Sequence, residues 1–574
     1  CSNLIELILY NYQYIWGAMR FLIATLFFSY PSLFMIGQNA FFRNTKQNNH
    51  IIDRIEMLQG KMLEDVFTSA KPYLLKDVYV QSKKFEAQSI QDKFNKKLLL
   101  DRCFELRDDS HFRSKKTFLN HFFEYNAYLF GKKENDYQFF VNPIAYFNGG
   151  YDWVSNEKLY QNTRGIVVRG NLANKLGFYS EITENQARFP EFVREKEKAT
   201  GALPNHGFYK DFGNNAYDFF GYKGYINFKA LPPIDVQFGH DQNFIGNGKR
   251  SLILGDFAPP HLFLKLNTKI KKVNYMNLFS EHSDLQRVIG NGSNQNKKYS
   301  ALHHLSINFG KKINLGLFEQ VIFSRQDSNQ NNGFEPNYLN PIIFYRGIEQ
   351  NLNSSDNVLL GSDFKYLIRR NMSLYGQFVL DEFKLSEIKA NKGWWANKWA
   401  LQAGVKAIDI FGVNNLDFLL EYNQARPYTY THFKSNQNLV HYRQPLAHPL
   451  GTNFKETLLE ISYQVKSNWT INWLASFMQQ GIDSNIHSKN IGGNILRDYG
   501  ERAFEYGNKT LQGNLYQTFY SDLWIQFQFN TFAYLDLSYT FRKNMRQFPQ
   551  SSNSLNQILS ISIRYFIDRN VPLY

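Results

Sequence analysis

The chain has 574 residues, of which 43% are hydrophobic and 17% aromatic, yet its mean hydropathy is −0.44. This combination argues against a helical membrane protein and fits a transmembrane β-barrel, in which half of each strand is polar and aromatic girdles lie at both interfaces. The formal net charge is +15, and a basic exported protein meets anionic lipopolysaccharide or acidic polysaccharide more readily than nucleic acid. A solvated basic surface would explain the charge equally well.

The amino-terminal region predicts an export signal. An apolar run over residues 21–36 follows a basic start and ends in small or polar residues. This pattern predicts a secretory signal peptide over residues 19–40, with residues 1–18 as upstream translation. A transmembrane anchor is the alternative, although the run is short for one. Cleavage would leave Cys103 as the one remaining cysteine, so no disulfide or thiolate metal site is predicted.

Residues 41–135 predict a small helical segment, which lies either in the periplasm or as a plug in the barrel. Charged residues are dense here, and apolar residues recur at helical spacing. The apolar residues at this spacing are Ile51, Ile55, Leu58, Met62 and Val66. A poorly ordered leader is the alternative interpretation.

Residues 136–574 predict an all-β barrel of about eighteen antiparallel transmembrane strands. Residues 523–541 show the pattern best, because apolar and polar residues alternate along both strands of a predicted hairpin. In a soluble sandwich the apolar face would meet a second sheet, whereas in an outer-membrane barrel it meets lipid and the polar face lines the lumen. The predicted strands begin near Gln138, Gly165, Leu176, Ala216, Ile234, Leu262, Val273, Ser300, Ile313, Asn357, Met372, Trp399, Leu416, Thr457, Trp469, Ser521, Ala533 and Gln557.

The connections between the predicted strands alternate between short turns and long loops. Residues 310–312 and 466–468 are examples of short turns, and residues 186–215 and 426–456 are examples of long loops. Short turns on one side and long loops on the other are typical of a bacterial outer-membrane barrel, with the short side periplasmic. The strand-like residues 342–348 would break this alternation, so they are assigned to a loop that folds inward.

A glycine-rich stretch at residues 246–251 resembles a nucleotide-binding loop only superficially. A P-loop requires a glycine at the position of Asn243 and a Ser or Thr at the position of Arg250. A glycine-rich turn between strands, packed inside the lumen, is the favoured interpretation.

Neither the histidines nor the carboxylates predict catalysis, and no catalytic residue, cofactor or metal ion is expected. His432, His441 and His448 share one long loop, but they lack the tight spacing of a metal site. Paired acids suggest glycoside hydrolysis, yet acids on the polar faces of strands more often form lumen networks with basic residues. The acids concerned are Asp363, Asp381, Glu421 and Glu460, and the expected partners are Lys365, Lys406 and Arg564.

Several long motifs resemble the Wzi-type capsule-assembly family. Residues 236–256 are similar to the core segment of that family. Residues 340–346, residues 393–398, and residues 426–432 together with 444–453 are most similar to its RemB-type branch, which is associated with gliding motility.

The resemblance implies an outer-membrane barrel that holds or organises surface polysaccharide as a lectin rather than an enzyme. The implied partners are outer-membrane lipid and lipopolysaccharide, surface or capsular polysaccharide, and gliding or secretion machinery proteins, with no nucleic acid. The residues of the family motif are Gly239, Asn243, Gly246, Gly248, Ser251 and Asp256. A porin or solute channel is the alternative function, and an outer-membrane hydrolase is a third.

The loop over residues 426–456 is the predicted carbohydrate site, on the cell surface. Aromatic rings offer apolar faces to sugar C–H groups, while Arg and His hydrogen-bond hydroxyls or pair with uronic acids. The predicted contact residues are Arg426, Tyr428, Tyr430, His441, Arg443 and His448. The alternative is that this loop folds inward and closes the lumen.

Overall fold

The computed structural model describes residues 40–106, 127–134, 136–173, 175–283, 297–327, 330–342, 344–483, 489–546 and 553–570. The predicted upstream residues 1–18 and almost all of the predicted signal peptide lie outside the described residues.

Eighteen antiparallel strands, β1–β18, form a closed barrel, in which β18 pairs with β1. The barrel and its strand number confirm the sequence prediction, and every predicted strand start lies within an observed strand. Strand β2 begins at Glu157, well before the predicted Gly165, because its first outward positions are polar and give no apolar alternation. The eighteen strands are Tyr137–Asp152, Glu157–Leu172, Leu176–Arg188, Ala216–Leu231, Ile234–Asp241, His261–Ile270, Val273–Ser283, Lys297–Phe309, Ile313–Phe323, Asn357–Arg369, Met372–Glu382, Lys398–Ala407, Leu416–Ala425, Phe454–Lys466, Trp469–Ile482, Asn514–Gln528, Ala533–Arg546 and Asn553–Tyr565.

The two faces of the barrel wall differ as the alternation predicts. On β17, Leu537 points outward and is 47% exposed, whereas Ser538 points into the lumen and is 5% exposed. The connections also alternate. Short turns such as residues 232–233 and 271–272 lie at one end of the barrel, and long segments such as residues 189–215 lie at the other.

Helices lie at the amino terminus and within the long connections. Helices α1–α3 precede the barrel, which confirms the predicted helical amino-terminal segment, and they pack around buried residues such as Ile55, Leu75 and Leu99. No helix in the described part of the chain is long and apolar enough to cross a membrane. The helices α1–α6 are Lys46–Gln59, Leu75–Lys84, Ile90–Arg102, Glu191–Thr200, Tyr345–Leu352 and Leu385–Ala390.

Residues 342–348 are not a barrel strand, because α5 begins within them. The remaining elements are short strands and 3-10 turns outside the eighteen-strand ring. The short strands are Ala70–Lys71, Phe130–Lys133, Tyr209–Phe212, Phe244–Ile245, Arg325–Asp327, Gln330–Gly333, Val440–His441 and Gln444–Pro445. The 3-10 turns are Phe104–Leu106, Pro336–Leu339, Ile410–Gly412 and Ser435–Gln437.

The lumen is a packed interior. Ala70–Lys71 pairs with Phe244–Ile245, which joins the amino-terminal segment to the connection between β5 and β6. That connection and the one between β13 and β14 supply buried apolar side chains, including Leu252, Tyr430 and Leu446, to one core cluster inside the barrel.

Candidate functional site in the barrel lumen

Helix α1 is fixed to the barrel wall by buried ion pairs. Glu56 bonds Lys365 of β10, and Asp53 bonds Lys406 of β12. Arg54 donates to Asp417 of β13 at 2.5 Å and to Asp409 at 3.1 Å. These contacts place the amino-terminal segment inside the barrel as a plug, one of the two alternatives left open by the sequence.

The connection between β5 and β6 folds inward and carries the family motif. We call residues 242–260 the inward segment. Glu421 accepts hydrogen bonds from the backbone N–H of Lys249 at 2.7 Å and of Arg250 at 3.1 Å. The side chain of Lys249 pairs with Glu460 at 2.7 Å, and that of Arg250 pairs with Glu456 at 3.3 Å. Carboxylates of β13 and β14 therefore hold this segment in the lumen.

The four carboxylates that the sequence predicts to form networks in the lumen do so. Their partners, however, are not the expected Lys365, Lys406 and Arg564. Glu421 and Glu460 hold the inward segment, as described above. Asp363 pairs with His304 at 2.6 Å, and Asp381 pairs with Lys398 at 2.9 Å. The three expected partners instead bond Glu56, Asp53 and Asp536, respectively.

The motif residues shape the inward segment. Asn243 accepts a hydrogen bond from Lys265 at 3.0 Å, and Ser251 Oγ accepts from the backbone N–H of Ile253 and Leu254. Gly246 has φ = 137°, a conformation that side chains disfavour, and its N–H donates to Ser69 O at 2.7 Å. The glycine-rich stretch is a turn inside the lumen, which is the interpretation that the sequence favours.

The remaining motif residues lie close to the cavity. Gly239 is on β5, and Gly248 and Asp256 both line the cavity described below. A side chain at position 248 would collide with the Glu421 carboxylate.

The predicted carbohydrate residues do not form an exposed surface. Tyr428 and Tyr430 are both 0% exposed. The Tyr428 hydroxyl donates to Asn490 O, and the Tyr430 hydroxyl donates to Leu252 O, each at 2.8 Å. The loop therefore folds inward, which is the alternative that the sequence left open. Tyr430 packs in the lumen core cluster, and Tyr428 packs in a second cluster with Trp395 and Ala396.

The other residues of this predicted site are also engaged within the protein. His448 Nε2 lies 2.7 Å from the Glu456 carboxylate, and His441 Nδ1 accepts from Ser283 N–H at 3.0 Å. Arg426 donates to Asn508 O at 3.1 Å, and Arg443 donates to Thr200 O. The structure thus distributes the six residues among separate internal contacts.

The three histidines of this loop do not converge. His432 lies against Phe433 and Tyr499, whereas His441 and His448 have the separate partners described above. No group of His, Cys, Asp or Glu residues suited to a metal ion occurs among the described residues.

A cavity of about 850 Å³ remains between the plug, the inward segment and the wall. Eleven Lys or Arg side chains and seven Asp or Glu side chains line it, so its lining carries a cationic excess. Its aromatic lining residues include Tyr179, Phe257 and Trp524. Aromatic faces next to cations are suited to contact the C–H groups and the acidic groups of a sugar.

Lys46 is the most available cation in this cavity. Its side chain is exposed to the cavity, and it forms no ion pair within the described part of the chain. Burial in the lumen lowers the pKa of Lys46, and the nearby charge of Lys249 lowers it further. An anionic ligand would stabilise the charged form. Sequence analysis missed Lys46 because its neighbours Lys249 and Arg250 are far away in the chain.

No protein-family model matches the sequence, and no curated protein matches it. The fold is similar to that of Wzi from Escherichia coli, an outer membrane protein involved in group 1 capsule assembly and a carbohydrate-binding β-barrel. The TM-score is 0.57 at 12% identity, over 92% of this chain and 100% of Wzi. The similarity shows a Wzi-like barrel fold.

Two further solved structures are less similar. OprD from Pseudomonas aeruginosa has 9% identity and a TM-score of 0.38, over 74% of this chain and 94% of OprD. OccAB2 from Acinetobacter baumannii has 10% identity and a TM-score of 0.40, over 74% of this chain and 96% of OccAB2.

Proposed function

We propose that this protein is an outer-membrane barrel that binds or organises surface polysaccharide, and that the lumen cavity takes an acidic sugar unit. The observation that carries the proposal is the filled lumen. The plug, the inward segment and the loop between β13 and β14 occupy the barrel and leave a cavity with a cationic excess. A binding site of this kind needs few groups of the right charge and shape.

The filled lumen favours binding over the alternative of a porin or solute channel. Breaking a buried ion pair leaves a charge inside the protein without its partner, so the contacts of Lys365, Lys406 and Arg54 oppose release of the plug. A solute would have to displace these contacts in order to pass.

The proposed role is non-enzymatic. Glycoside hydrolysis requires one carboxyl group that donates a proton and a second that is free to act on the sugar or on water. Glu421, Glu456 and Glu460 all bond the inward segment instead. These bonds support a structural role for the three glutamates.

More specifically, the protein would act in capsule assembly or in gliding motility. The similarity of fold to Wzi motivates the first, and the sequence motifs at residues 340–346 and 393–398 motivate the second. Chemical crosslinking in cells followed by mass spectrometry tests the second. Recovery of motility machinery proteins supports it, and recovery of polysaccharide-export proteins alone opposes it.

Binding of purified protein to acidic and neutral polysaccharides tests the proposal directly. We expect selective binding of acidic chains, and we expect Lys46→Gln to weaken it about ten- to a hundredfold, because loss of one charge-assisted contact costs about 1.5–3 kcal/mol. Lys97→Gln is the matched control, since Lys97 is exposed on α3 and lies outside the cavity. Absence of binding to any acidic polysaccharide would refute the proposed function.

A further inference from the structure

The barrel wall is interrupted between β4 and β5. Strand β5 ends at Asp241, whereas β4 continues well beyond it toward Ala216. The pairing of these strands stops at Gly224 and His240. Residues 220–223 pair with β3 on one side, and within the described ranges they have no strand partner on the other.

Side-chain contacts form the lower edge of this interruption. On the outer face, the ring of Tyr222 stacks on that of His240 with centroids 4.4 Å apart. On the inner face, Lys223 Nζ lies 3.7 Å from Asp241 and donates to Gln242 Oε1 at 3.2 Å. The regular ladder of hydrogen bonds is therefore replaced by side chains at this level.

The hairpin formed by Val440–His441 and Gln444–Pro445 roofs the interruption. On one side, Gln444 accepts from Asn205 N–H at 2.8 Å and donates to His206 O at 2.7 Å. On the other side, His441 bonds Ser283 N–H and contacts Pro260 O at 3.3 Å. The hairpin therefore bridges the two sides of the interruption, and we call the opening below it the window.

The window lies at the outer edge of the apolar band of the barrel. Ile182 pairs with Tyr222, and both point outward, 44% and 52% exposed. At the next outward-facing position along β2 and β3, further from the plug, Arg164 and Glu184 form an exposed ion pair. This change from apolar to charged outward residues marks the boundary between lipid acyl chains and lipid headgroups.

The lining of the cavity extends to the residues of the window. Its lining includes the outward-facing Phe220, Tyr222 and His240 as well as the lumen cations Lys46 and Lys249. Phe220 is 59% exposed, so the outer rim of the window is aromatic and apolar. A basic interior and an apolar outer rim match the two ends of an anionic lipid.

We propose that the window admits an acylated anionic glycolipid from the outer leaflet. The phosphorylated or acidic head would lie in the lumen near Lys46 and Lys223, and an acyl chain would leave the barrel over Phe220 and Tyr222. The inference rests on the outer-membrane location in the proposed function. It names a lateral route by which a lipid-anchored saccharide reaches the cavity.

Native mass spectrometry of the purified full chain tests the inference with lipid A, an acylated and phosphorylated disaccharide, as the probe. We expect the wild type to retain lipid A after detergent removal. We expect the double variant Phe220→Ser, Tyr222→Ser to retain about tenfold less, because it loses apolar contact area for the chain. Ile561→Ser is the matched control, because Ile561 is an outward, 56% exposed residue of β18 in an uninterrupted part of the wall, and this variant should retain lipid A as the wild type does.

Competition on the wild-type protein separates the two ends of the ligand. Deacylated lipid A and phosphatidylcholine should each compete poorly, because the first lacks the chain and the second lacks the net negative head. Equal retention by wild type and double variant, equal loss in Ile561→Ser, or full competition by either compound would overturn the inference. If instead the proposed function is wrong, the purified protein will fail to bind free acidic polysaccharide, whatever its retention of lipid A.

Discussion

Neighbouring residues on one strand face opposite sides of the barrel wall. Leu537 meets lipid and Ser538 meets the packed lumen, and the sequence predicts both orientations because the apolar alternation on β17 has no break. Lys46 shows the opposite case, since its cavity position depends on contacts with distant parts of the chain. Local alternation thus predicts the wall at residue level, but it cannot predict the residues of the cavity.

Leu537→Arg should destabilise the folded barrel by about 2–4 kcal/mol, because it places a cation near the middle of the apolar band. Ser538→Arg should cost less, because the lumen face is polar. Urea titration of both variants in lipid vesicles measures the difference. Equal losses would show that the assigned strand register is wrong.

The plug, the inward segment and the barrel wall are separate elements that meet through buried charges. Helix α1 and the eighteen strands follow from local periodicity in the sequence. The inward loops do not, because their contacts are non-local: Tyr430 bonds Leu252 O, and Lys249 bonds Glu460, each across a long stretch of chain. The same distance explains why local sequence patterns predict a surface position for the loop over residues 426–456, which instead folds inward.

Lys365→Ala should loosen the plug and destabilise the protein by about 3–5 kcal/mol, because it leaves Glu56 buried without its cation. Lys61→Ala is the control, since Lys61 forms an exposed pair with Glu64, whose loss should cost at most about 1 kcal/mol. Urea titration gives the stabilities, and protease cleavage of the amino-terminal segment reports its release. Unchanged cleavage and stability in Lys365→Ala would contradict the plug assignment.

The whole molecule is a barrel whose interior is occupied by its own chain. The wall gives the fold, the plug and the inward loops fill the lumen, and the remaining cavity collects cations next to aromatic rings. This division of roles makes the protein a binding protein in the proposed account, with the lumen as the site and the window between β4 and β5 as its lateral entry.

Single-channel conductance of the wild-type protein in planar bilayers tests the central claim most directly. A lumen filled by the plug and the inward loops should carry almost no steady current, because ions have no wide aqueous path through the barrel. Lys365→Ala should show larger and more frequent openings in the same assay. A large, steady conductance of the wild type would contradict the account and establish the channel function instead.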